Sequence, residues 1–408
     1  MIRKCLLMLL LLCPFCLLAQ GPNRGPKVSP MTINPDHSVT FRFQAPATAH
    51  EVRICGDFLP VKLVTHEYYG THEEFPPLPM QKGDNNVWTF TSSPLNPDLY
   101  KYWFEVDGVK TLDMNNLYAM RGNKTDNVNF FIINDGISAN YIQQDVPHGT
   151  VSARWYYSPS FQKDRRLFVY TPAGYEDGTA SYPVLYIFHG SSEEESSWLT
   201  QGRLVQIMDN LIAKGLCQPM IVVAPNGDVE RQSSYYSTNY DGSVQPHASD
   251  VQDRARLNPD IDYYEYEHSF GDVIGFIDSN YRTLANKQGR AVCGVSMGGR
   301  NAMNVSRLHR NTFGYVGLFS PALEPDRHFP QHKYDDDIVA SLRQQAADGV
   351  NLYWIGVGEH DLQWTTNQPF RKILDEVGMA YTFNPSGGAH TYNNWRVYLV
   401  KFASLLFK

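Results

Sequence analysis

Cysteine is scarce in this chain. Of its six cysteines, Cys5, Cys13 and Cys16 crowd into the extreme N-terminal region, leaving Cys55, Cys217 and Cys293. An odd number cannot be fully paired, and their spacing fits no metal site, so they are expected to be small buried hydrophobes. Neither a metal nor a cofactor is implied. Positive charge is also short. The 35 Lys and Arg residues against 42 Asp and Glu give a net charge of −7. No basic stripe is present, which argues against nucleic acid as a partner. Beyond the N-terminal region no apolar run reaches the roughly 18 residues of a membrane helix. What is abundant is aromatic: 25 Tyr, 21 Phe and 7 Trp in 408 residues, 42% of which are hydrophobic. That is a globular composition, long enough for about two or three domains.

The chain starts with the basic Met1-Ile2-Arg3-Lys4 and continues with a nearly unbroken apolar run from Cys5 to Leu18. This reads as a secretory signal peptide over residues 1–19, too short to span a membrane comfortably. Ala19 suits the position before cleavage, although Leu17 is larger than ideal. The protein is therefore expected to be exported, to the periplasm or the exterior. A lipoprotein anchor on Cys16 is the weaker alternative, because Phe15 before it is not small.

Residues 27–134 have an all-β texture. Val39-Thr40-Phe41-Arg42-Phe43 and Val52-Arg53-Ile54-Cys55 alternate, and Val87 to Thr91, Tyr100 to Val106 and Val128 to Ile133 are further strand candidates. Asp107-Gly108 marks a hairpin turn. Short strands at this spacing predict a β-sandwich. Gly56-Asp57-Phe58, Trp88, Leu99-Tyr100-Lys101-Tyr102, Val106-Asp107-Gly108 and Asp113-Met114-Asn115-Asn116 resemble the N-terminal immunoglobulin-like modules of glycogen-branching enzymes. Some such modules bind polysaccharide and many only pack on a catalytic domain, so Trp88, Tyr102 and Trp103 are candidates for a sugar platform or for core. Residues 135–160 read as a connector. From 161 to 408 the texture changes. Strands such as Val184 to Phe188, Met220 to Ala224, Tyr315 to Phe319 and Leu352 to Gly356 alternate with helices over 204–214, 270–281 and 396–407. This predicts an α/β domain, a mainly parallel sheet covered on both faces.

Gly294-Val295-Ser296-Met297-Gly298 sits between a short apolar run, Ala291 to Cys293, and a helix start. A G-x-S-x-G at a strand-to-helix turn is the nucleophile elbow of the α/β-hydrolase fold. Three fixed positions at roughly 7% usage each occur by chance about once in seven chains of this length, so the context must carry the assignment. A serine nucleophile needs a base, and the base needs an acid, in the chain order Ser, Asp or Glu, His. His390, in Ser386-Gly387-Gly388-Ala389-His390 before the last helix, has the best setting for the base. His309, His328 and His332 read as surface residues. For the acid, Gly358-Glu359-His360-Asp361 offers two carboxylates just past a strand end. An oxyanion needs two converging N–H donors. Met297, after the nucleophile, supplies one, and the loop His189-Gly190-Ser191-Ser192 the other, through Ser191.

The stretch Tyr182 to Gly190, the stretch Met208 to Asn226, the Ser296 elbow, Phe313-Gly314-Tyr315, Gly387-Gly388-Ala389-His390 and Trp395-Arg396 together resemble the esterase-D-type hydrolases. Within them the chain is most similar to carbohydrate esterase family one, the feruloyl and acetylxylan esterases. The resemblance covers about residues 140–408 and implies Asp361 as the acid, with Glu359 as fallback and His360 as a pocket wall. It also implies a secreted serine esterase that removes acyl groups, feruloyl first, from a plant cell wall polysaccharide such as arabinoxylan, or from a feruloylated oligosaccharide. Ala389 and Tyr392 depart from the family's usual glycine and tryptophan. Alternatives are acetylxylan deacetylation, hydrolysis of an enterobactin-type siderophore ester, and a non-catalytic glycan-binding role. The tyrosine-rich insertion 230–268, with Tyr235, Tyr236, Tyr240, Tyr263, Tyr264 and Tyr266, is a candidate substrate wall or a self-packed loop. Trp198 and Trp395 are possible substrate contacts, though an architectural role suits them better.

Overall fold

A computed structural model describes residues 28–29, 31–66, 70–122, 127–227, 265–323 and 336–408. The front of the chain forms two antiparallel sheets. One orders Met31–Ile33, Val39–Gln44, Val87–Thr91 and Gln81–Lys82; the other orders Ala119–Arg121, Asn127–Ile132, Leu99–Val106, Val52–Gly56 and Leu78–Pro79. Val109–Thr111 folds back on Leu99–Val106. Asp107 and Gly108 between them have φ of 47° and 81°, the left-handed pair that a tight hairpin requires. Alternate residues of the strands point inward, and Phe41, Trp88, Tyr102, Phe104 and Phe131 form one apolar core. Trp88 and Tyr102 are therefore buried rather than displayed to a sugar. Trp103, on the opposite face, packs toward the second half of the chain. A separate hairpin, Lys62–His66 with Gly70–Glu74, projects from this front segment.

The rest of the chain is built on an eight-stranded sheet. Its spatial order is Thr150–Ser158, Lys163–Thr171, Ile221–Pro225, Val184–Phe188, Arg290–Val295, Tyr315–Phe319, Leu352–Gly358 and Thr382–Ser386. The six strands from Ile221–Pro225 to Thr382–Ser386 are parallel and the first two pairings antiparallel. Thr150–Ser158 lies inside the stretch expected to be a connector. It is instead the first strand of this sheet, so the sheet begins ahead of residue 161. Neighbouring residues serve opposite faces. Tyr186, Phe188 and Val292 enter one apolar layer with the helices Gly271–Asn280 and Met297–Leu308. Leu185, Ile187 and Cys293 enter the other, with Leu204–Ala213 and Tyr392–Ala403. The observed fold is thus an α/β-hydrolase type, as expected. All three described cysteines are free and buried, and burial pushes the Cys55 and Cys217 thiols up to about 12.

The two halves share packing. Leu99, Met120, Val128 and Phe130 of the front belong to the same apolar cluster as Trp198 and Tyr392. Arg396, buried on the last helix, donates to Asp98 Oδ1, to the Leu99 carbonyl and to the Gln201 carbonyl. Among the described residues no helix is long and apolar enough to cross a membrane.

Candidate active site

The sheet order places strand Val184–Phe188 between one reached next in sequence, Ile221–Pro225, and one reached later, Arg290–Val295. Chain connections leave this central strand in opposite directions, which opens a crevice beyond the carboxyl ends of the strands. Ser296 stands at that edge. It caps the helix Met297–Leu308 with φ 52° and ψ −117°, a conformation costly for a side chain. Backbone bonds hold it there. Its N–H donates to the Phe319 carbonyl, and its own carbonyl accepts from Ala322 and Arg300.

The elbow glycines are demanded by packing. A Cβ on Gly294 would lie 2.4 Å from the Gly298 carbonyl oxygen, and one on Gly298 would lie 2.4 Å from that of His189. Gly298→Ala is expected to destabilise the protein by about 1–3 kcal/mol through this overlap. Denaturant unfolding would check it, and an unchanged midpoint would count against the packing argument. Gly190 differs, since a Cβ there would meet nothing nearer than Val295 at 3.4 Å. The protein itself does not require that glycine.

Strands Leu352–Gly358 and Thr382–Ser386 are parallel neighbours, so their exit loops emerge side by side. Backbone bonds stitch the loops together, from Glu359 to the Ser386 carbonyl and from His360 to that of Gly388. This brings His390 to Asp361, with Nδ1 2.8 Å from Oδ1. The same Oδ1 accepts from the Gln363 backbone at 2.8 Å. A carboxylate can only accept, so Nδ1 carries the proton and Nε2 keeps a lone pair. Asp361 Oδ2 is buried with no hydrogen-bond partner among the described residues. Glu359 is exposed and is not the carboxylate that meets His390. His360 reaches Glu73 Oε1 of the front hairpin at 3.1 Å.

Met297 is the first residue of the elbow helix, where first-turn N–H groups lack intrahelical partners. Ser191 lies exposed on the turn after Phe188. Gly190 N–H is already bound to Glu193 Oε2 at 2.9 Å. His189 faces inward. Its Nε2 accepts from Gly227 N–H at 2.9 Å, and Nδ1 lies 2.9 Å from the Gly190 carbonyl. Its side chain fills the space behind that turn.

Trp198 and Trp395 are 1% and 3% exposed, so neither offers a face to substrate. Trp198 Nε1 donates to the Phe188 carbonyl. Trp395 Nε1 donates to Ser320 Oγ at 3.0 Å, and its ring packs edge-on against His390 at 4.9 Å. Both are supports behind the site. Tyr266 is likewise core, against Phe188 and Phe270. Tyr235, Tyr236, Tyr240, Tyr263 and Tyr264 lie outside the described residues, as do His328 and His332. His309 is half-buried and bonded to the Glu267 carbonyl.

Sequence reasoning missed Glu193. Its carboxylate accepts from both Gly190 N–H and the Tyr392 hydroxyl, each at 2.9 Å. It ties the loop of Ser191 to the helix that follows His390. Burial pushes its carboxyl up, against the pull of the Gly190 N–H. The only sequence signal was Tyr392, where the resembling family has tryptophan.

Residues 158–402 match the Esterase family, described as "Putative esterase". The endo-1,4-beta-xylanase/feruloyl esterase of Xylanibacter ruminicola is 28% identical over 334 residues, 81% of this chain and 41% of that protein. The chain spans less than half the length of the first curated relatives it matches. In fold it is similar to the enterobactin esterase of Shigella flexneri, with a TM-score of 0.62 and 13% identity over 90% of this chain and 92% of that one. It is also similar in fold to a ferulic acid esterase of Anaeromyces mucronatus, with a TM-score of 0.51 and 23% identity over 66% of this chain and 95% of that one. With the matched segment running from the end of the first strand of the large sheet through nearly all of its last helix, the chain belongs to the Esterase family.

Proposed function

We propose that this esterase works through an acyl-enzyme on Ser296 and removes feruloyl groups from plant cell wall polysaccharide such as arabinoxylan, after export from the cell. The observation that carries the mechanism is the 2.8 Å contact between His390 Nδ1 and Asp361 Oδ1, at the same sheet edge as the strained Ser296. Ser296 Oγ attacks the ester carbonyl while His390 Nε2 takes its proton. Asp361 fixes the imidazole tautomer and stabilises the imidazolium as it forms. The N–H groups of Met297 and Ser191 hold the oxyanion. The imidazolium then protonates the departing alkoxide, and water activated by the neutral imidazole releases the acid. The reaction needs no cofactor.

The substrate rests on the xylanase/feruloyl esterase relative, whose similarity spans 81% of this chain. The front β-segment is proposed to be an immunoglobulin-like module over residues 27–134. Purified protein is expected to hydrolyse methyl ferulate with at least about tenfold higher kcat/KM than a methyl acetate control, because burying an aromatic ring adds on the order of 1–2 kcal/mol of transition-state binding. Steady-state assays on methyl ferulate, acetylated xylan and a catecholate triester would decide. Acetylated xylan as the better substrate would reassign the enzyme as a deacetylase. The second reading, siderophore ester hydrolysis, is favoured by the fold likeness over 90% of the chain, front segment included, and would show as turnover of the triester alone.

A further inference from the structure

A cavity of about 250 Å³ opens on His390. His360 and Leu362, flanking Asp361, line one side of it, and Thr391 lines another. The remaining wall comes from the front segment, through Glu73 and Phe75. Glu73 is the terminal region of the projecting hairpin, its side chain only 13% exposed and set 3.1 Å from His360 Nδ1. Phe75 packs with its other contacts on the front core. The hairpin is carried by a segment bound firmly to the hydrolase half. Arg396 bonds Asp98, and Arg121 pairs with Glu194 at 2.7 Å, beside the loop of Ser191.

Reaction geometry assigns a side to this cavity. In the tetrahedral intermediate the oxyanion points to the N–H donors, and the leaving alkoxide must reach the imidazolium to be protonated. The acyl group extends away from both. The cavity is lined by residues on either side of His390, and neither Ser191, Met297 nor any other elbow residue borders it. Its opening onto His390, the group that must protonate the leaving alkoxide, points to the alcohol side. Its volume is below the roughly 300–1,000 Å³ of pockets for drug-sized ligands, so it takes a single ring. Phe75 and Leu362 offer apolar surface. Glu73, His360 and Thr391 offer acceptors and donors around it. An apolar wall with a few polar groups matches a sugar ring, whose faces are apolar and whose rim is hydroxyl. The carboxylate also disfavours an anionic alcohol portion.

We propose that the front β-segment completes this alcohol-side subsite for a glycosyl group, with Phe75 and Glu73 as specificity-determining residues. The inference rests on the serine mechanism proposed above. It makes the front segment part of the reaction site, in addition to any affinity it has for polymer elsewhere.

The test compares two esters with one acyl group and different alcohols, methyl ferulate and feruloyl arabinofuranoside, in the full-length protein. Phe75→Ala should lower kcat/KM for the sugar ester by about tenfold, the scale of one lost ring contact, and leave methyl ferulate within about twofold. Glu73→Gln should act in the same direction with a smaller loss. Phe75→Leu keeps bulk against the front core and serves if Phe75→Ala melts below assay temperature. Equal losses on both esters would overturn the proposal, as would a loss that follows the acyl group when methyl ferulate is compared with methyl acetate. If the wild type prefers acetyl esters, the feruloyl assignment fails separately. The alcohol comparison, run with methyl acetate and acetylated arabinose, then still decides the subsite.

Discussion

Ser296→Ala is expected to lower kcat by about 10⁴–10⁶-fold, with folding intact. Alanine meets the same backbone strain as serine at φ 52°. The bonds that hold the elbow run through the main chain to Phe319, Ala322 and Arg300, so the sheet and helix have no reason to shift. What vanishes is the oxygen that forms the acyl bond. The double variant with His390→Ala is expected to be barely worse than either single one, because a base without a nucleophile has nothing to deprotonate. Active-site titration and single-turnover assays, beside a thermal melt, make the check. Turnover near wild type in Ser296→Ala would sink the mechanism whatever the substrate.

Asp361→Asn should cost about 10⁴-fold in kcat. The isosteric amide can turn its NH₂ toward His390 Nδ1, which then accepts. The proton moves to Nε2, and the nitrogen that should act as base has no lone pair to use. Glu359→Gln should stay within about twofold, since that carboxylate is exposed and contacts neither member of the pair. Parallel steady-state measurements suffice, and the reverse ranking would show that the acid is Glu359 and that the loop rearranges in solution.

How much of this was legible depended on whether the determinant was local. The elbow is local, and five residues with their flanking strand and helix define it. Tyr315–Phe319 was readable because a central strand, buried on both faces, is a continuous apolar run. Edge strands hid. Thr150–Ser158 turns Trp155 and Tyr157 outward, 47% and 59% exposed, and passed for a connector. Thr382–Ser386 carries Pro385, which only an edge tolerates. The helix Asn367–Glu376 holds a proline in its first turn and few apolar residues, and was not anticipated. Asp361 and Glu359 stand two apart on one turn, so spacing could not rank them. The turn bond from Asp361 N–H to the Gly358 carbonyl is part of the loop geometry that does. Glu73 meets His360 across 287 positions, a juxtaposition that no motif encodes. The tryptophans were ambiguous for another reason: an aromatic residue near a site reads alike whether it faces substrate or props up the histidine.

Arg396 has a consequence for how the chain is made. Its bonds to Asp98 and to the Leu99 carbonyl span 298 and 297 positions. The front strands leave the ribosome first and can pair early through Arg121 and Glu194, but the Arg396 fastening is among the last pieces translated. At about 5–20 residues per second, roughly 15–60 s pass between synthesis of Leu99 and of Arg396. Until then the front segment lacks its last anchor, so the sheet-to-sheet seam at Asp98 and Leu99 closes only when the chain is nearly complete.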